Sequence, residues 1–247
     1  MRVSFFEEFP SPENLEKLKF IQWPSRLFLA ARSLEEFLHL KEQFKNKYVT
    51  EIIYWPVLSK KEGYWFSPFS KRKALLRIFN EVKSKNVPVM IDAELPTTQN
   101  PILYFTQAFN FFRNRKILRN FVKEYPSVYV AEYFPLHGWR ASVLKFLGVS
   151  FSSRNHHVIK MVYTSMRPLE NKPFESYLKN AKTLFRDRFL LGLGVIATGV
   201  TGKEHVLSLK QLERDLELAK NAGIEEVVLF RLGGLDKEYA RVCKRYS

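Results

Sequence analysis

Two carboxylates sit two residues apart at the end of an apolar run, Val89-Met90-Ile91-Asp92-Ala93-Glu94. Side chains alternate along a strand, so Asp92 and Glu94 leave one face with Met90, and Val89, Ile91 and Ala93 take the other. The second set is small and apolar, as packing beneath helices requires. Two close carboxylates resist ionising together, so one pKa is expected to rise. A carboxyl that keeps its proton near neutral pH is what general acid catalysis needs. Glu132 closes another apolar run and is the next candidate. Two carboxyl groups flanking a cleft can hydrolyse a glycoside, about 5 Å apart for retention and about 6.5–9.5 Å for inversion. The alternative fate of these acids is a structural ion pair with Arg32 or Arg231. Glu7 and Glu8 end the first apolar run, and only one of them can point inward.

Aromatic side chains cluster near the same run ends: Tyr54, Trp55, Tyr64, Trp65, Phe66, Tyr133, Phe134 and Trp139. Rings open to a cleft stack on sugar faces or bases. Trp55, Trp65 and Tyr133, with Glu7, Arg32 and Arg231, form the candidate substrate-binding set. Aromatics are 15% of the chain, so many of them must be core.

Eight short runs rich in β-branched and aromatic residues must position these groups: Arg2–Glu8, Arg26–Ala31, Glu51–Val57, Val87–Glu94, Ser127–Tyr133, His157–Tyr163, Phe189–Ile196 and Glu225–Arg231. They are apolar almost throughout, which suits a parallel sheet covered on both faces. Helical patterns follow them at Pro12–Phe20, from Leu34, and at Lys71–Lys85, Pro101–Tyr125, Leu136–Leu147, Pro173–Arg186, Ser208–Ala222 and Leu235–Arg245. Ser33 with Glu36 forms a capping box, Pro101 fits a first helical turn, and Gly223 fits just past a helix end. Strict alternation over 247 residues predicts an α/β fold, one (β/α)8 TIM barrel domain spanning 1–247, with eight parallel strands and outer helices. A doubly wound open sheet is the alternative, although no Gly-x-Gly-x-x-Gly turn follows the first strand. In such barrels the chemistry lies where the strands end.

The segment Val89-Met90-Ile91-Asp92-Ala93-Glu94-Leu95-Pro96 resembles the fourth strand of the chitinase-like glycoside hydrolases of family 18, in which spaced aspartates lead to a catalytic Glu. That resemblance implies Glu94 as general acid and Asp92 as the residue that orients the substrate's N-acetyl group, itself the nucleophile. Lys160-Met161-Val162-Tyr163-Thr164 looks like the family's Met-x-Tyr-Asp, which implies that Tyr163 hydrogen-bonds the same acetamido group. Three positions depart from the pattern: Met90 stands in place of an aspartate, Thr164 in place of another, and Val228-Leu229-Phe230-Arg231 lacks the family's tryptophan. A carbohydrate, bound or hydrolysed, is the ligand this reading expects.

Other readings compete. Gly199 and Gly202, in the loop after the seventh run, and Gly233 and Gly234, after the eighth, lie where barrels often bind phosphate. The same glycines equally mark tight turns. Lys and Arg number 40 against 25 Asp and Glu, a net charge of +15, which invites an anionic partner. Arg113, Lys116 and Lys123 line one side of the pattern 101–125, with Arg115 and Arg119 nearby. This makes nucleic acid a candidate partner, though no recognised motif supports it. Tyr104, Phe105, Ala108, Phe109 and Phe112, on the other side, are expected to pack on the barrel. Cys243 alone makes no internal disulfide. His156 and His157 point apart in an extended segment, and His39, His137 and His205 are scattered. Neither a metal nor a cofactor is expected. The N-terminal residues lack a signal-peptide pattern, and no run approaches the roughly 20 apolar residues that span a bilayer. The expectation is a cytoplasmic protein with no membrane partner.

Overall fold

The computed structural model describes residues 1–153 and 155–247. These form the strands β1 (Arg2–Glu7), β2 (Ser25–Ala31), β3 (Val49–Pro56), β4 (Val89–Asp92), β5 (Val128–Tyr133), β6 (His157–Met161), β7 (Phe189–Val195) and β8 (Glu226–Phe230). The strands follow one another in chain order round a closed barrel, and β1 pairs in parallel with both β2 and β8. The architecture is therefore the (β/α)8 barrel that the alternation predicts.

Each strand lies within the expected run or within two residues of it, but several end early. Glu94, Tyr163 and Arg231 belong to the loops after their strands. The reason is visible in the backbone bonding. Glu94 N donates back to Asp92 O, and Met166 N donates to Tyr163 O, so these segments turn rather than extend a ladder.

The helices are α1 (Pro12–Leu15), α2 (Leu34–Gln43), α3 (Arg72–Lys85), α4 (Leu103–Thr106), α5 (Phe111–Glu124), α6 (Gly138–Phe146), α7 (Asn171–Phe185), α8 (Leu209–Asn221) and α9 (Lys237–Tyr246). Ser11 caps α1 and Pro12 occupies its first turn, which continues as a 3-10 segment to Phe20. Ser208 and Gln211 form a full capping box on α8. Ser33 makes only half of one. Its hydroxyl accepts from Glu36 N, but the Glu36 carboxylate accepts from Arg32 N, one residue earlier than the motif requires. Gly223 follows α8 at φ +71°, a left-handed position that favours glycine.

The pattern 101–125 is not one helix. It divides into α4, a 3-10 turn at Ala108–Asn110 and α5, and Pro101 sits in a turn before α4. Two apolar stripes compete along this segment. Phe111, Leu118, Phe121 and Val122 win the core, with Asn114 buried among them. Phe121 stacks on Phe79 of α3 at 3.9 Å. Their burial turns Phe105, Ala108, Phe109 and Phe112 out to solvent, and only Tyr104 is half-covered. The expected packing of those aromatic side chains on the barrel is thus reversed.

The chain packs as two compact units, one of Met1–Ala30, His39–Ile53 and Ile159–Ser247, the other of Ala31–Leu38 and Tyr54–Val158.

Candidate functional site

Within the second unit, β4 and β5 place three polar groups together. Asp92 pairs in register with Ala131, and Met90 with Tyr129. Paired residues of neighbouring strands share a face, so Asp92 lies on the face of Tyr129, Ala131 and Tyr133. Beyond the strand, Ala93 N donates to Ala131 O, and the Asp92 carbonyl accepts from both Phe66 N and Glu94 N. The main chain that carries both acids is therefore tied down. The Tyr133 hydroxyl accepts from Leu95 N at 3.2 Å. Burial pushes the Tyr133 phenol above its ordinary range, and the nearby carboxylates of Glu94 and Asp92 push it further. A neutral phenol thus stands beside two acids. Asp92 is buried and Glu94 half-buried, so Glu94 is the more open of the pair.

Glu132 goes elsewhere. It falls on the opposite face of β5 from Tyr133, with Val128 and Val130. It is buried, and its carboxylate accepts from Ser150 Oγ at 3.0 Å and from Phe151 N at 2.8 Å. These bonds anchor the connection that leads to β6. Trp55 and Trp65 are 3% and 9% exposed, so neither offers an open stacking face. Tyr64 covers the Trp65 ring edge-on at 5.2 Å. Arg32 is exposed at the start of the loop after β2.

The first unit holds a separate cluster. Glu7 is fully buried at the end of β1. It accepts from Phe9 N and Gly233 N, each at 2.7 Å, and from the Arg231 guanidinium at 3.2 Å. Arg231 also donates to Thr198 O at 2.9 Å and lies 4.8 Å from the centre of the Phe9 ring. Burial raises the pKa of Glu7, and the Arg231 charge with the two amides offsets part of that rise. Arg231 is therefore the partner of Glu7.

The glycine loops after β7 and β8 belong to the same cluster. Val200 N donates to Glu8, Gly199 N to Glu204 and Gly233 N to Glu7. Carboxylates hold the amides a phosphate would need and add like charge. The glycines serve close packing instead. A Cβ on Gly199 would meet Phe230 and Glu8, and one on Gly234 would meet the Ile196 carbonyl. Gly202, at φ +66°, makes a turn. Glu204 was missed in the sequence, although Thr201 three residues before it forms a Thr-x-x-Glu pair that reveals the local hydrogen bond.

Tyr163 follows β6 and packs against Phe230 at 5.9 Å. Next to it, Thr164 donates its hydroxyl to buried Asp215, which Arg214 also contacts at 2.5 Å. His157 stacks on Tyr129 at 4.8 Å, while His156 meets the Phe151 ring. Among the described residues no three His, Cys, Asp or Glu side chains gather as ion ligands.

Neither a protein-family model nor a curated protein matches the sequence. Solved structures do match the fold. A chitinase from Bacteroides thetaiotaomicron superposes with a TM-score of 0.61 at 12% identity, over 99% of this chain and 95% of that one. The GH18 chitinase from Cycas revoluta, solved in complex with (GlcNAc)3, gives 0.53 at 13% identity over 99% of both chains. The PgaB (BpsB) glycoside hydrolase domain from Bordetella bronchiseptica gives 0.55 at 10% identity, over 97% and 95%. At such identities the likeness is one of fold.

Proposed function

We propose that this chain is a glycoside-hydrolase-like barrel acting on carbohydrate, with Glu94 as general acid and Asp92 as its partner. The observation that carries the reading is the meeting of Glu94, Asp92 and the neutral Tyr133 phenol where β4 and β5 end. Glu94 is the half-buried member, reachable by a ligand, and would protonate the glycosidic oxygen as the bond to the leaving sugar breaks. Asp92, deeper and fixed through its main chain, would orient the group that attacks the anomeric carbon. A substrate N-acetyl group is the candidate for that role. Tyr133 would donate a hydrogen bond to the substrate or to one of the acids. Glu132 supports the site indirectly, by anchoring the connection to β6. The fold likeness to chitinases selects N-acetylglucosamine oligomers as the first substrates to try.

Release of reducing ends from such oligomers tests the assignment. Glu94→Gln should lower turnover about a hundredfold or more, with the unfolding midpoint in urea unchanged. A hydrolysing preparation that keeps its full rate after Glu94→Gln would remove Glu94 from the mechanism.

A further inference from the structure

The aromatic residues turned out of the core by α5 form a surface of their own. Ile102, Phe105, Phe109 and Phe112 recur every three or four residues and are 66, 81, 97 and 70% exposed. On α6, Trp139, Val143 and Phe146 follow the same spacing and are also exposed. Phe111 joins the two rows, with its ring 5.1 Å from Phe112 and 6.0 Å from Phe146. All of these residues lie within the second unit. Exposed apolar residues scattered singly are ordinary, but a contiguous set of this size marks an interaction surface.

The charges within the two segments that carry the patch are of one sign. Residues 95–123 and 133–169 contain no Asp or Glu. Arg113, Lys116 and Arg119 are exposed beside the phenylalanines, Arg140 lies 5.4 Å from the Trp139 ring, and Arg115 lies 5.6 Å from the Phe146 ring. A groove of about 580 Å³ continues from the patch, sharing Phe112 and Arg115 with it and adding Lys116, Arg119, Lys123 and Asn155. Protruding apolar side chains bordered by cations meet the requirements of a bilayer interface. The acyl boundary takes up projecting groups without a matching shape, and anionic headgroups neutralise the border. A second copy of this chain would bring like charge against like. Single-stranded nucleic acid needs open ring platforms, whereas this patch includes aliphatic Ile102 and Val143, and the Phe111 and Phe112 rings cross at 84°.

We propose that this face docks on the surface of an anionic lipid bilayer. The association is peripheral, since among the described residues no helix is long and apolar enough to cross a membrane. It also departs from the expectation of no membrane partner, which rested on the lack of an apolar run long enough to span a bilayer and did not consider a peripheral surface.

Cosedimentation with vesicles tests the proposal. Phosphatidylcholine vesicles with about a third phosphatidylserine should bind the protein, pure phosphatidylcholine should not, and binding should weaken as salt rises. The triple substitution Phe105→Ser, Phe109→Ser and Phe112→Ser should weaken binding by about tenfold or more. The triple substitution Arg113→Gln, Lys116→Gln and Arg119→Gln should weaken it by about a hundredfold. These side chains are at the surface, so circular dichroism and thermal midpoints should match the parent. Brominated acyl chains should quench tryptophan fluorescence, and Trp139→Phe should remove that quenching. The proposal is overturned by no binding to anionic vesicles at low salt, or by equal binding of the parent and both triple variants. It is also overturned if the phenylalanines instead support binding of a single-stranded oligonucleotide, or a dimer of this chain.

Discussion

Removing the cation from the buried Glu7 cluster should produce a loss of stability whose size depends on pH. In Arg231→Met, Glu7 stays fully buried and keeps its two amide donors, but it loses the guanidinium at 3.2 Å. The carboxylate can escape the charge penalty by taking up a proton. The electrostatic cost is therefore capped by the work of protonating it, counted from its ordinary value of 4.5. That cap is about 3.4 kcal/mol at about pH 7 and about 0.8 kcal/mol at about pH 5. The parent already carries part of it, because burial raises the folded pKa of Glu7 above its unfolded value. A raised folded pKa contributes stability that is full below 4.5 and is lost as pH rises through the folded value. Loss of the bond to Thr198 O and of the contact with Phe9 adds about 1.5 kcal/mol at any pH. Urea unfolding of parent and variant should therefore show more destabilisation at about pH 7 than at about pH 5, by at most about 2.6 kcal/mol. Adding Glu7→Gln to Arg231→Met should erase that difference. Equal losses at both pH values, or a double variant with the same pH dependence as Arg231→Met, would refute the reasoning.

Three further perturbations probe the scaffold. Ser208→Ala removes the hydroxyl that accepts from Gln211 N and should cost about 1 kcal/mol in chemical unfolding. Gly234→Ala drives a Cβ into the Ile196 carbonyl, with backbone on both sides, and should cost about 2 kcal/mol or more, read as a lower thermal midpoint. Tyr54 is wholly buried, and its hydroxyl has no hydrogen-bond partner among the described residues. Tyr54→Phe should leave stability unchanged or raised by about 1 kcal/mol, and a clear loss would show that the hydroxyl is satisfied.

Fold and site were legible in the sequence to different depths. Eight apolar runs with helical patterns between them were enough for the barrel, because strand burial and helix spacing are local properties that survive averaging over a run. The shared face of Asp92 and Glu94 is likewise local, since a spacing of two decides it. The facing of Glu132 was not, because it depends on the register in which β5 meets β4, with Asp92 opposite Ala131. The choice between Arg32 and Arg231 as an ion-pair partner also turned out differently. Burial of Glu7 captured Arg231, and a residue more than two hundred positions away leaves no trace in local spacing. The glycine loops read alike as a phosphate cradle or as tight turns until Glu7, Glu8 and Glu204 were seen on their amides. The segment 101–125 shows the difference most clearly. Its sequence contains two apolar stripes, and either makes an amphipathic helix. Only packing against α3 decided that Phe111, Leu118, Phe121 and Val122 would be inside, leaving Phe105, Phe109 and Phe112 in solvent. Sequence by itself determined the elements and the faces within each one. Tertiary structure decided which of two equivalent faces is buried and which charges meet, because both are settled by partners that sequence distance does not rank.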